Sequence, residues 1–167
     1  TVYHKEWFEE DGAEYPVRVI IYKDKVTVGL DTTGVSLHKR GYRKLTSKAP
    51  IAENLAAGLI ALTPWHADRI LVDPFCGSGT IPIEAAMMAA NIAPGLRRYF
   101  VAERFSFIDP KVWREERTRA QDNIRHNITF KAQGYDLDPA CVELTLQNAK
   151  KAGVENYIKV SVADIKD

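Results

Sequence analysis

Two short runs rich in β-branched residues, Val17–Lys23 and Val26–Asp31, flank the pair Asp24-Lys25, a pattern that predicts a β-hairpin. From Ala49 to Leu62 the period changes. Ile51, Leu55, Leu59 and Leu62 recur at helical spacing, and Thr63-Pro64 ends the run. A short apolar strand is expected over Arg69–Phe75, running directly into Cys76-Gly77-Ser78-Gly79-Thr80. The next helix is expected from Thr80 to Ala90, with Ala85, Ala86 and Ala89 as a small face for close packing. Pro82 is tolerated there because it falls in the first turn. Residues 91–107 read as irregular, with Pro94-Gly95 and the pair Arg97-Arg98.

Asp109-Pro110 has the form of an N-cap followed by proline at the first helical position. The helix it opens is expected to reach Asn127, with Trp113, Arg117, Ala120 and Ile124 along one face and charges elsewhere, as on a surface helix. Phe130–Tyr135 is the next expected strand, ending at Asp136-Leu137-Asp138-Pro139. Asp138 repeats the N-cap and proline device; Val142, Leu146 and Ala149 form the expected buried stripe, and Gly153 closes the helix. Tyr157–Val162 is a last strand, followed by Ala163-Asp164. Strand, glycine turn, helix, strand, acid, helix, strand is the pattern of a doubly wound α/β domain with parallel strands. Ligands of such sheets sit beyond the carboxyl ends of the strands. Here those ends are Asp73–Thr80, Asp136–Asp138 and Asp164, so three acid-bearing loops are expected on one rim.

Composition narrows the class without choosing a function. The 167 residues are 46% hydrophobic and 27% charged, as in an ordinary globular domain. No apolar run approaches the roughly 18 residues of a spanning helix. Residues 1–11 contain no apolar core of a signal peptide. Two cysteines and four histidines make neither a disulfide framework nor a conventional zinc site, and a reducing cytoplasm is the default expectation. A net charge of +1 carries no global nucleic-acid signature, but its distribution is uneven. Residues 32–52 contain no acid, while Lys39, Arg40, Arg43, Lys44 and Lys48 cluster with His38 and Tyr42. Such a run can grip phosphates and stack a base, or can simply be a solvated loop.

Three nucleotide-binding readings compete for the glycine loop. A P-loop requires lysine after its last glycine, and none follows Gly79. A dinucleotide fingerprint requires a third glycine where Pro82 stands and an acid some 20 residues on, where Arg97 and Arg98 stand. S-adenosylmethionine fits better. Asp136 can accept from the ribose hydroxyls and Asp164 from the adenine amine, because ionised carboxylates are pure acceptors. The methionine carboxylate would meet the Gly77–Thr80 backbone at a helix N-terminus, and Asp73 would receive the α-ammonium. Taken singly, Gly77 and Gly79 suit a tight turn, Asp138 an N-cap, and Cys76 a small packing residue.

Leu71-Val72-Asp73-Pro74-Phe75-Cys76-Gly77-Ser78-Gly79-Thr80-Ile81-Pro82-Ile83-Glu84-Ala85-Ala86 closely resembles the first motif of Rossmann-like methyltransferases. It is most similar to the family of RNA methylases once described as N6-adenine-specific DNA methylases. Ser36-Leu37-His38-Lys39-Arg40-Gly41-Tyr42-Arg43 resembles that family's upstream signature, and Gly134–Pro139 and Val162-Ala163-Asp164 its second and third motifs. The resemblance implies an S-adenosylmethionine site on Asp73, Pro74, Phe75, Cys76, Gly77, Ser78, Gly79, Thr80, Asp136, Leu137 and Asp164. It also implies RNA as partner, with Lys39, Arg40, Tyr42, Arg43 and Lys44 as candidate contacts. Family members carry a THUMP domain before the hairpin and methylate the exocyclic N2 of guanine in 23S ribosomal RNA. The implied transfer is a direct displacement at the sulfonium methyl, with no metal and no catalytic residue among those present. The family's acceptor motif, Asn/Asp-Pro-Pro-Tyr, has no counterpart, since the chain contains no Pro-Pro. Residues 1–48 are therefore expected to be a linker and hairpin, and 49–167 the cofactor-binding half of a methyltransferase domain, inactive alone. A DNA adenine N6-methyltransferase and a non-catalytic RNA-binding module on the same fold are the alternatives.

Overall fold

The computed structural model describes Trp7, residues 11–43 and residues 50–166. It divides into two compact units, one joining the chain as far as Val35 with Tyr99–Glu115, the other joining Ser36–Arg98 with Glu116–Asp167. The hairpin therefore shares a compact unit with the segment from Tyr99, and the second unit begins at Ser36. Side-chain packing explains both groupings. Tyr42 is buried in the core of the second unit, whereas Tyr15 stacks on Phe105 with ring centres 4.8 Å apart and hydrogen-bonds Ser106.

In the first unit, β1 (Val17–Tyr22) and β2 (Lys25–Leu30) pair antiparallel from Val17↔Leu30 to Tyr22↔Lys25. The turn is Lys23-Asp24, one residue earlier than expected, with φ of 47° and 59°. Positive φ at both turn residues matches the twist of the flanking strands, which is why a two-residue hairpin takes it. Asp31 ends β2 by accepting the backbone N–H groups of Thr33 and Gly34 and the Nε–H of Arg18.

The second unit is α/β. It contains α1 (Glu53–Ala61), β3 (Leu71–Asp73) and α2 (Thr80–Ala89). The surface helix α3 (Pro110–Asp122) has no buried residue, as its charge pattern predicts, and its last residues fall in this unit. Then come β4 (Ala132–Asp136), α4 (Pro139–Ala152) and β5 (Ile158–Val162). The three strands form a parallel sheet in the order β3-β4-β5. Helix α2 is buried along almost its whole length, with Ile83, Ala85 and Ala86 fully enclosed. Its alanines let it pack closely, and Phe130 in the core meets Trp65 edge-on.

Helix α4 departs from its expected stripe. Ala149 is buried as expected, but Leu146 is exposed and the other inward positions are Thr145, Asn148 and Ala152. The helix has turned a polar edge inward, toward the glycine loop. No helix among the described residues is long and apolar enough to cross a membrane.

Candidate functional site

The loop between β3 and α2 is held from three sides. Asp73 Oδ1 accepts the N–H of Phe75 at 3.1 Å, turning the chain as it leaves β3. The N–H of Cys76 donates to the Tyr135 carbonyl at 2.8 Å, and that of Gly77 to Asp136 Oδ2 at 2.9 Å. From α4, Thr145 Oγ1 donates to the Gly77 carbonyl at 2.9 Å and Asn148 Nδ2 to the Ser78 carbonyl at 3.1 Å. Thr145 and Asn148 thus satisfy two loop carbonyls that would otherwise be buried without partners. The sequence reading missed both. Their signal was two polar residues three apart within an apolar helical stripe.

Gly77 and Gly79 have φ of 53° and 79°, the left-handed region that glycine enters without strain. Gly79 is the N-cap of α2, and no side chain caps that helix. The amides of Thr80 and Ile81 are accordingly available to an anion, whereas Pro82 has no N–H to offer. Ser78 and Thr80 are buried, Pro74 and Gly77 half-buried, and Phe75 is 70% exposed. Cys76 is buried against Thr145 and Gly134, and burial pushes its thiol up to about 11, as suits a packing residue.

Strand register brings the acids together. Asp73 pairs with Gly134 and Asp136 with Val162, so Asp73, Asp136 and Asp164 lie at successive strand tips. Asp136 Oδ1 accepts the N–H of Asp138 at 3.0 Å while Oδ2 holds Gly77. Asp164 is half-buried and turns back to accept the Lys166 N–H. Leu137 is 66% exposed on the same rim. Asp138 is an N-cap, with Oδ1 2.8 Å from the Ala140 nitrogen.

Burial holds the Asp73 carboxyl above its usual range, and the neighbouring Asp136 charge adds to the shift. The folded protein therefore binds this proton more tightly than the unfolded chain does. Stability from Asp73 is present below the ordinary carboxylate value and falls as pH rises through the raised one. Asp73→Asn should raise the melting temperature at neutral pH and flatten its decline with rising pH in thermal melts. A lower melting temperature at neutral pH would contradict this.

Three of the described residues of the basic segment face inward. Tyr42 is 4% exposed and donates to Glu84 Oε1 at 3.1 Å, while Arg40 pairs with Glu84 Oε2 at 3.6 Å. Arg43 donates to Thr80 Oγ1 and pairs with Glu53. These three face inward because Glu53 and Glu84 are buried and require charge and hydrogen-bond partners. Their internal partners leave these three less surface to offer to RNA than a solvated loop would. Lys39 is exposed, and Lys44 lies outside the described residues. Tyr42→Phe should cost about 1.5–3 kcal/mol in urea denaturation, because it removes a hydrogen bond to the buried Glu84 carboxylate.

Comparison with known proteins agrees with this geometry. Residues 40–167 match the family model UPF0020, described as an RMKL-like methyltransferase domain. YpsC of Bacillus subtilis (strain 168), named as a candidate RNA methyltransferase, is 43% identical over 162 residues, covering 97% of this chain and 42% of that protein. Ribosomal RNA large subunit methyltransferase K/L of Shewanella pealeana is 42% identical over 165 residues, covering 93% of this chain and 23% of that one. The chain thus spans less than half the length of these relatives. Among solved structures, a possible methylase from Clostridium difficile 630 superimposes with a TM-score of 0.92 at 51% identity, covering 98% of this chain and 43% of that one. SMU.472, a candidate methyltransferase complexed with SAH, gives 0.89 at 40% identity, covering 95% and 41%. A parallel sheet with a clamped glycine loop and acids at its strand tips, together with a family match over residues 40–167, leads to one conclusion: this chain belongs to the UPF0020 family of RMKL-like methyltransferase domains.

Proposed function

We propose that this chain is the S-adenosylmethionine-binding part of an RNA N-methyltransferase whose target is the exocyclic N2 of a guanine in large-subunit ribosomal RNA. The observation that carries the reading is the rim itself, where an uncapped helix N-terminus and three strand-tip acids adjoin one loop. The residues fit the cofactor's groups. The α2 amides suit its carboxylate, and Asp73, a desolvated acid beside Asp136, suits its ammonium. Asp136 already accepts two N–H groups, and an ionised carboxylate has about four acceptor sites, so capacity remains for the ribose hydroxyls. Asp164 is the acceptor for the adenine amine, and the exposed Phe75 and Leu137 offer apolar surface to adenosine.

When bound, the cofactor supplies an electrophilic methyl group on its sulfonium. The chain's own residues bind and orient it. Holding and aiming the target amine belongs to an acceptor motif that residues 1–167 do not contain, so these residues alone should bind cofactor without transferring a methyl group. The relatives named for ribosomal RNA support an RNA substrate. The inward-facing Arg40, Tyr42 and Arg43 count against a non-catalytic RNA-binding module built on that segment.

Calorimetry with S-adenosylhomocysteine tests the reading. Asp136→Ala should weaken binding by about 1.5–3 kcal/mol, the range for hydrogen bonds to a charged group. Unchanged affinity in a folded variant would remove Asp136 from the ribose site.

A further inference from the structure

Helix α4 holds the glycine loop on one side; on the other, a residue from outside the motif holds the start of α2. The Arg43 side chain is 10% exposed. Its Nη2 donates to Thr80 Oγ1 at 2.7 Å and to the Ile51 carbonyl at 2.7 Å, and lies 3.8 Å from Glu53 Oε2. Thr80 is the first residue of α2, and Ile51 lies just before α1. One guanidinium nitrogen therefore ties the first turn of α2 to the beginning of α1.

Two features set this arrangement apart from an ordinary structural contact. Among the described residues the Nε of Arg43 is buried without a hydrogen-bond partner, which is costly for a charged group. A cation beside a helix N-terminus also has the wrong sign for the helix dipole, whose positive end favours anions. Glu53 offsets part of that charge. An anion arriving at the uncapped first turn would complement both the guanidinium and the dipole. The chemistry at Thr80 points the same way, because its hydroxyl oxygen accepts from Arg43 and its own proton remains to be donated.

We propose that Arg43 is a positioning residue for the amino-acid end of the cofactor. It fixes Thr80 and the first turn of α2 so that the turn's amides and the Thr80 hydroxyl proton meet the ligand's carboxylate. The proposal rests on the reading that this rim binds S-adenosylmethionine, and it adds a residue outside the glycine motif to that site.

The test compares two ligands on the full chain by calorimetry. S-adenosylhomocysteine carries the amino-acid carboxylate, and 5′-methylthioadenosine lacks it. Arg43→Gln should weaken S-adenosylhomocysteine binding about 10- to 100-fold while changing 5′-methylthioadenosine binding less than about threefold. Arg43→Lys should fall between, because an ammonium keeps the charge but cannot reproduce the guanidinium's planar fork. Circular dichroism establishes that each variant folds; if Arg43→Gln does not, Arg43→Lys decides by the same selectivity. Equal weakening of both ligands, or of neither, would overturn the positioning role while leaving the cofactor site intact. A wild-type chain that binds neither ligand would overturn the cofactor reading and this proposal with it.

Discussion

Gly79→Ala is expected to destabilise the second unit by about 2–5 kcal/mol and, on the proposed reading of the rim, to abolish measurable S-adenosylhomocysteine binding. Two effects combine. The backbone at Gly79 has φ +79°, a conformation that L side chains rarely adopt. An added Cβ would also stand 2.4 Å from Thr145 Cγ2 and 2.9 Å from its Oγ1, inside any tolerable contact. Thr145 cannot simply rotate away, because its hydroxyl is bonded to the Gly77 carbonyl. A double-mutant cycle in urea separates the two effects. Thr145→Ala in the Gly79→Ala background should recover the steric part and leave the backbone part, so the two changes will not add. Additive costs would mean that the added Cβ does not meet Thr145.

Glu84→Ala should cost about 3–5 kcal/mol, the range for removing one partner of a buried ion pair. Glu84 is 2% exposed on α2, with Tyr42 donating to one carboxylate oxygen and Arg40 facing the other. Its removal leaves a guanidinium whose Nε already lacks a partner among the described residues. Burial raises the Glu84 carboxyl while the Arg40 charge lowers it, so desolvation and pairing oppose each other at this one group. Replacing both residues, as Glu84→Met with Arg40→Met, should cost less than Glu84→Ala alone, because no unpaired charge remains. Chemical denaturation of the single and double variants at neutral pH decides it. A double variant less stable than the single one would show that the pair contributes net stability.

Much of the site was legible because its signals are local. Asp138-Pro139 and Gly153 mark the ends of α4, and both cap as their chemistry requires. The run from Asp73 to Thr80 had to be a turn into a helix, because a strand led into glycines and then an alanine-rich helical stretch. The order of the acids followed from the order of the strands. Less local features were harder to read. The hairpin turn fell one residue early because the strand register counts Lys25 as a strand residue. The helix after Asp109 stopped at Asp122, short of Asn127, where Asn123 folds its amide onto the Arg119 carbonyl.

By itself, the sequence determined the alternation of strands and helices, the glycine turn and the acids at three strand ends. Periodicity, caps and turn residues act within a few positions of one another, so these features need no distant partner. Tertiary structure decided which side chains face inward. Arg40, Tyr42 and Arg43 make a basic, aromatic run on paper, yet their partners Glu84 and Thr80 stand some 40 residues away. Val142, Leu146 and Ala149 form an apolar stripe, yet α4 turned Thr145 and Asn148 inward because the glycine loop presents buried carbonyls to it. Most buried polar groups find a partner, and which groups become partners is decided when the chain closes on itself.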